Sequence, residues 1–234
     1  MPRNGASPTH ARGARLERST HVKDRFSTHS PNETTDQDPD RRGLSHAANA
    51  GKHSLAARGL DLYSTPPEAV RALLGVEALP HQIWEPAAGR GSIVNTLRDA
   101  GHAVIASDIT DYGLPLHYRR DFLRVQKMPQ GCEAIITNPP YQAAGEFVAH
   151  ALTLSPHVIM LLRLAFLESV KRTPVLEGGQ LARVHVFRNR LPRMHRDSWR
   201  GPKASSSIAF AWFVWDRKHS GPTTIDRISW RPTP

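Results

Sequence analysis

Residues 135–142 read Ile-Ile-Thr-Asn-Pro-Pro-Tyr-Gln. With Ala134 ahead of them, the two isoleucines have the apolar, β-branched character of the end of a buried strand. Asn138-Pro139-Pro140-Tyr141 then takes the backbone out of the sheet. Consecutive prolines fix φ and contribute carbonyls without N–H donors, so the strand ends in a stiff ledge of acceptors flanked by one amide and one aromatic ring. Such a ledge suits a planar amine whose lone pair is delocalised into a ring. Acceptors on both of its N–H bonds favour a more pyramidal nitrogen and stabilise charge that develops there during alkyl transfer. The Asn138 side-chain oxygen and the Pro139 carbonyl are the candidate acceptors, and Tyr141 offers a stacking face.

Toward the N-terminus, Gln82–Trp84 reads as another buried strand. Glu85-Pro86-Ala87-Ala88-Gly89-Arg90-Gly91 turns from it into a helix that carries Ile93, Val94 and Leu97 on one face. Glycines at such a turn allow positive φ and close approach of the backbone to a ligand. A dinucleotide fingerprint would need a third glycine at position 94, which is Val, so a nicotinamide or flavin cofactor is disfavoured. Ala103–Ser107 is a second apolar strand ending in Asp108, where a carboxylate at the strand tip can accept both hydroxyls of a ribose. Ahead of the first strand, Thr65-Pro66-Pro67-Glu68 fits a capping box, with Thr65 as N-cap of a helix running to about Gly75. Beyond Tyr141, Phe147, Val148, Ala151 and Leu152 mark a helix that Ser155-Pro156 ends. His157–Leu164 is a buried strand, and Arg163 within it carries a guanidinium that needs a partner: the 138–141 loop, if Arg163 lies at the strand's C-terminal end, or else Glu168. Leu181–Phe187 alternates as a half-exposed strand with Arg183 and His185 outward, and Ile208–Trp215 is continuously apolar. Strands alternating with helices define an α/β fold built on a mostly parallel sheet.

Asn-Pro-Pro-Tyr directly after a strand resembles the catalytic loop of S-adenosylmethionine-dependent amino-group methyltransferases, chiefly those that act on adenine N6. The acid-Pro-x-x-Gly-x-Gly string at 85–91 is similar to the cofactor loop of the same enzymes. The order of cofactor loop, NPPY and then a basic stretch, over about residues 60–217, resembles the gamma arrangement of N6-adenine DNA methyltransferases of phage and prophage. That resemblance implies a Rossmann-like class I methyltransferase fold: a mostly parallel seven-stranded sheet with helices on both faces and an antiparallel terminal strand. It implies S-adenosylmethionine as cofactor, held by Tyr63, Thr65 and Pro66, by Glu85, Ala87, Gly89 and Gly91, by Asp108 at the ribose, and by Asp121 and Phe122 at the adenine. The catalytic residues it implies are Asn138, Pro139, Pro140 and Tyr141.

A formal charge of +10 and a pI near 10.4 point to a polyanionic partner, most simply a nucleic acid, and the resemblance implies that it is double-stranded DNA. The segment 188–207 concentrates that charge. Arg188, Arg190, Arg193, Arg196, Arg200 and Lys203 surround Trp199, a composition suited to phosphate contacts and base stacking. Residues 1–58 have few large apolar side chains and read as a disordered basic arm with ten Lys or Arg against six Asp or Glu. Residues 59–218 form the expected methyltransferase domain, and 219–234 a peripheral tail. One cysteine, Cys132, leaves no intramolecular disulfide, and the 13 histidines fall in no zinc-binding spacing, so no metal is expected. The longest apolar run, His157–Leu167, is 11 residues with Arg163 inside it, too short for a membrane span, and no secretory leader is read, which implies a cytoplasmic protein. Three alternatives stay open: the same chemistry on RNA adenine, the same chemistry on a protein glutamine amide, and a catalytically silent nucleic-acid-binding module.

Overall fold

The structure is a computed structural model that describes residues 62–178, 180–192 and 208–231. These belong to one compact unit, His53–Pro234. The arm expected over residues 1–58 lies outside the described residues, as do Arg193, Arg196, Trp199, Arg200 and Lys203 of the basic segment.

One sheet organises the chain. Its strands are β1 (Gln82–Glu85), β2 (Ala103–Asp108), β3 (Tyr118–Arg119), β4 (Ala134–Thr137), β5 (His157–Arg163), β6 (Leu181–Phe187), β7 (Phe210–Asp216) and β8 (Thr224–Ile228). They lie in the order β3-β2-β1-β4-β5-β7-β6-β8. Neighbours pair in parallel except around β7, which runs against both β5 and β6. This is the Rossmann-like, mostly parallel α/β fold expected. It has eight strands where seven were expected, because the stretch read as a peripheral tail supplies β8. That strand adds in parallel to β6, with Arg183 opposite Thr224 and Phe187 opposite Ile228.

Helices α1 (Pro67–Leu74) and α2 (Ser92–Asp99) cover one face; α3 (Ala144–Leu154) and the short α4 (Thr173–Leu176) cover the other. Successive residues of a strand point to opposite faces, so each central strand feeds both cores. Ile83, Ile136, Trp212 and Val214 pack with α1 and α2, whereas Trp84, Ile135, Phe213 and Trp215 pack with α3 and α4. Each such apolar side chain, removed from water, contributes roughly 2 kcal/mol. The buried indoles also tie layers together by hydrogen bonds: Trp212 Nε1 donates to the Ala69 carbonyl of α1 at 2.9 Å, and Trp215 Nε1 to the Val175 carbonyl of α4 at 2.7 Å.

Two local expectations are corrected. The N-cap of α1 is Pro66, not Thr65, and no side chain caps that helix. Thr65 is buried with its hydroxyl turned elsewhere, as described below. Strand β6 is not half exposed, because β8 pairs along its outer edge and Glu77, just after α1, lies over its second face. His185 is 3% exposed and shares hydrogen bonds around Glu77, which accepts from Arg183 Nε at 2.5 Å and Nη2 at 3.1 Å and lies 2.6 Å from His185 Nε2. Burial opposes charge on Glu77, yet the His185 and Arg183 hydrogen bonds outweigh it and hold the carboxyl below its ordinary value.

Candidate active site

The C-terminal ends of β1, β2 and β4 open on one cavity of about 220 Å³. This is where parallel α/β sheets bind ligands, because the loops leaving adjacent strands diverge there. Its wall brings together Tyr63, Thr65, Ala87, Gly89, Asp108, Asp121, Phe122, Asn138, Pro139 and Pro140, which lie up to 77 positions apart in the chain. Four expected residues, Pro66, Glu85, Gly91 and Tyr141, are not part of that wall.

The glycine loop has the geometry its sequence requires. Gly89 and Gly91 adopt φ of 53° and 86°, values that side-chain-bearing residues rarely take. A Cβ on Gly89 would come within 2.8 Å of Leu62, and one on Gly91 within 2.6 Å of Leu114. The Gly89 N–H donates to Asp108 Oδ2 at 2.9 Å, so the tip of β2 fastens the loop that follows β1. Asp108 Oδ1 accepts the Thr110 N–H at 2.9 Å. Burial lifts the Asp108 carboxyl above its ordinary value in spite of these bonds. The Ile109 N–H also bonds the carboxyl, which leaves one of its four lone-pair sites for a ligand hydroxyl.

Glu85 supports the loop from below. It is fully buried, and its Oε1 accepts from the Ala87 N–H at 3.0 Å and the Thr137 hydroxyl at 2.5 Å. Its Oε2 has no hydrogen-bond partner. Burial pushes the carboxyl up to about 8. The hydrogen bonds from Thr137 and Ala87 oppose that rise, and the charge of Asp108 adds to it. Glu85 thus braces the turn that follows β1 against the end of β4, and the cavity surface is made by the residues around it.

Asp121 caps a short 3-10 turn, Phe122–Arg124, by accepting the Leu123 N–H at 3.0 Å. Its second oxygen lies 3.5 Å from Arg124 Nε. Phe122 is 2% exposed and sits between Trp84 and Phe147, at ring-centroid distances of 5.3 and 4.9 Å. A carboxylate and a ring from adjacent residues therefore line the cavity together.

Asn138 is held from one side. Its Nδ2 donates to Thr65 Oγ1 at 3.0 Å and to the Tyr63 carbonyl at 3.3 Å. Both N–H bonds are used, and the side-chain oxygen is left as a buried acceptor without a partner. Ser92 of α2 donates its hydroxyl to the Thr65 carbonyl, fixing the same segment from behind. Tyr141 follows just outside the cavity wall. Its ring lies 5.1 Å from that of Tyr63 and 5.6 Å from that of Phe210, and the Arg163 guanidinium stands over it at 4.6 Å. Arg163 therefore meets the 138–141 loop and makes no ion pair with Glu168.

Several wall residues were not singled out from sequence: Leu62, Ile109, Tyr112 and Phe147. Ile109 carried a signal, being a large apolar residue directly after the strand-tip carboxylate, and it is 59% exposed. Tyr112 carried none; its carbonyl accepts from Arg90 Nη1 at 3.3 Å across the cavity mouth. Of the basic segment, Arg188 and Arg190 are exposed just past β6. No group of three or more His, Cys, Asp or Glu that could hold a metal occurs among the described residues, and none of their helices is long and apolar enough to cross a membrane.

No protein-family model and no curated protein matches this chain. Among solved structures, a modification subunit described as that of a type I restriction enzyme from Vibrio vulnificus aligns at 15% identity and a TM-score of 0.49, over 72% of this chain and 46% of that one. A protein from Listeria monocytogenes described as a class I S-adenosylmethionine-dependent methyltransferase aligns at 12% identity and 0.49, over 70% and 65%. One from Pyrococcus horikoshii described as an RNA methyltransferase aligns at 14% and 0.48, over 70% and 89%. The chain spans about half to two thirds of the length of the first two.

Proposed function

We propose that the chain is an S-adenosylmethionine-dependent methyltransferase that methylates the exocyclic N6 of adenine in DNA. The observation that carries this reading is the Asn138 side-chain oxygen, a buried acceptor with no partner, fixed beside a cavity of about 220 Å³. An unpaired buried acceptor costs about 1–3 kcal/mol, a cost that a bound donor such as an amine N–H would remove.

The residues present fit the cofactor. Gly89 brings the loop backbone to the cavity wall, Asp108 keeps acceptor capacity there for a ribose hydroxyl, and Asp121 with Phe122 puts a carboxylate and a ring on the same wall for a purine. Bound there, S-adenosylmethionine supplies a methyl group on a positively charged sulfur that leaves as a neutral thioether. The chain's own residues position the acceptor. Asn138 Oδ1 and the Pro139 carbonyl accept the two N–H bonds of the adenine amine, raising electron density on nitrogen as it forms its new bond to carbon and the carbon–sulfur bond breaks; the extra proton on the methylated nitrogen is then lost to solvent. Tyr141 stacks on the extruded base, for which unstacking from the duplex costs a few kcal/mol. No group of the chain forms a covalent bond; orientation and fixed dipoles do the work. The net charge of +10, with Arg188 and Arg190 exposed, supports a nucleic acid as the carrier of that base.

The test is transfer of labelled methyl to DNA from a methylation-free host, with RNA and a glutamine-bearing peptide in parallel. DNA labelling at adenine, reduced about 100-fold or more in Asn138→Ala and strongly reduced in Tyr141→Ala, is the expected result. Unchanged labelling in Asn138→Ala overturns the reading. Labelling of RNA or peptide alone reassigns the acceptor, and the absence of any heat on titration with S-adenosylmethionine identifies a silent binding module.

A further inference from the structure

Arg163 is the last residue of β5 and is exposed, opposite Phe210 of β7. Its guanidinium carbon lies 4.6 Å from the centre of the Tyr141 ring. Among the described residues it makes no hydrogen bond and no ion pair. Arg172, also stacked on a ring, behaves differently. It stands 4.4 Å from the Phe166 ring and donates to the carbonyls of Ala165 and Glu168 at 2.8 and 3.0 Å, which closes its own turn. Arg98 donates to the Val104 carbonyl, Arg183 to Glu77 and Arg217 to the Leu152 carbonyl. Those arginines brace the fold. Arg163 instead holds five N–H donors in reserve against the ring of the acceptor loop.

A guanidinium on a ring face in water is a weak contact, and a planar base is a larger partner for the same ring. Tyr141 lies beside Pro140, which lines the cavity, but is itself outside the wall, with Tyr63 and Phe210 packed on it at tilted angles. We propose that Arg163 keeps the place of the acceptor on Tyr141 and, when a base stacks there, moves its guanidinium to a backbone phosphate flanking that base. One residue then serves two states: it covers the ring when no acceptor is present, and it clamps the strand when the base is in place. A free purine or a protein amide brings no phosphate to this position, so Arg163 selects a nucleic-acid strand. The inference rests on the acceptor reading of the preceding subsection.

Salt dependence of binding tests it, because a structural arginine leaves that slope alone. For duplex DNA each phosphate contact contributes about 0.9 to the slope of log K against log salt. Arg163→Gln is expected to reduce the slope by about 0.9. From about 50 to about 200 mM salt, the variant should therefore lose about 3.5-fold less affinity than the parent. KM for DNA should rise more than kcat falls, heat on titration with S-adenosylmethionine should match the parent, and Arg163→Lys, which keeps the charge, should restore the slope. A parent slope in Arg163→Gln, or a reduced one in Arg163→Lys, overturns the proposal. A parent protein that methylates no nucleic acid refutes the acceptor reading instead, so the two failures are distinguishable.

Discussion

Thr65→Val isolates the positioning of Asn138. Valine keeps the shape of threonine and removes one atom of consequence, the Oγ1 that accepts from Asn138 Nδ2 at 3.0 Å. The second acceptor, the Tyr63 carbonyl, is farther at 3.3 Å and serves the same nitrogen, so one N–H of a part-buried amide loses its partner. That costs about 1–3 kcal/mol. The loss appears as lower stability if the amide stays in place, and as a lower rate if it turns away from the reactive orientation. If the whole amount falls on the rate, methyl transfer slows by about five- to 150-fold. Thr65→Ser restores the hydroxyl and should recover most of the rate while losing about 1 kcal/mol for the missing methyl group. Urea unfolding read together with labelled-methyl transfer separates the two destinations, and a double-mutant cycle with Asn138→Ala should be strongly non-additive in rate. Parent rates in Thr65→Val, or equal damage in Thr65→Ser and Thr65→Val, refute the argument that this hydroxyl orients the amide.

Two further predictions concern buried carboxyls. Glu85, lifted by burial to about 8 from an ordinary 4.5, favours the folded state fully below its unfolded value and loses that contribution as pH rises through about 8. The thermal midpoint of the parent should therefore fall between about pH 5 and 9 more steeply than that of Glu85→Gln, which keeps an acceptor for Ala87 and Thr137; parallel slopes would contradict the assignment. Glu77 is held below its ordinary value, so its contribution is present above the unfolded value and is lost as pH drops through the folded one. Glu77→Gln should lose about 3 kcal/mol near neutral pH, with the gap to the parent closing in acid as measured by urea midpoints.

The sequence made the buried strands legible and the edge strands illegible, for a physical reason. β1, β2, β4, β5 and β7 are apolar because they are central, and burial is what hydropathy records. β3 and β8 are mostly exposed and exist because a neighbour offers a ladder of hydrogen bonds, which leaves little compositional trace. β6 looked half exposed because the partners of Arg183 and His185 come from position 77 and from β8. Thr65 shows the same limit at the site. Its local context is that of a helix cap, whereas its partner is 73 positions away. The motifs at 85–91, 108, 121–122 and 138–140 were legible because their spacing follows from strand tips meeting at one end of a parallel sheet. That Glu85 braces from beneath and Tyr141 stands outside the wall depends on side-chain directions that spacing does not encode.

The reversed strand sets the order in which this molecule can be completed. β7 lies between β5 and β6 and pairs with β5 along seven residues, burying Trp212, Phe213 and Trp215 completely. During synthesis, β5 and β6 emerge from the ribosome with an empty slot between them, and the strand that fills it comes last of the three. From the emergence of β5 until about residue 216 is free of the exit tunnel, the edges that β7 will cover stay open as templates for unwanted pairing.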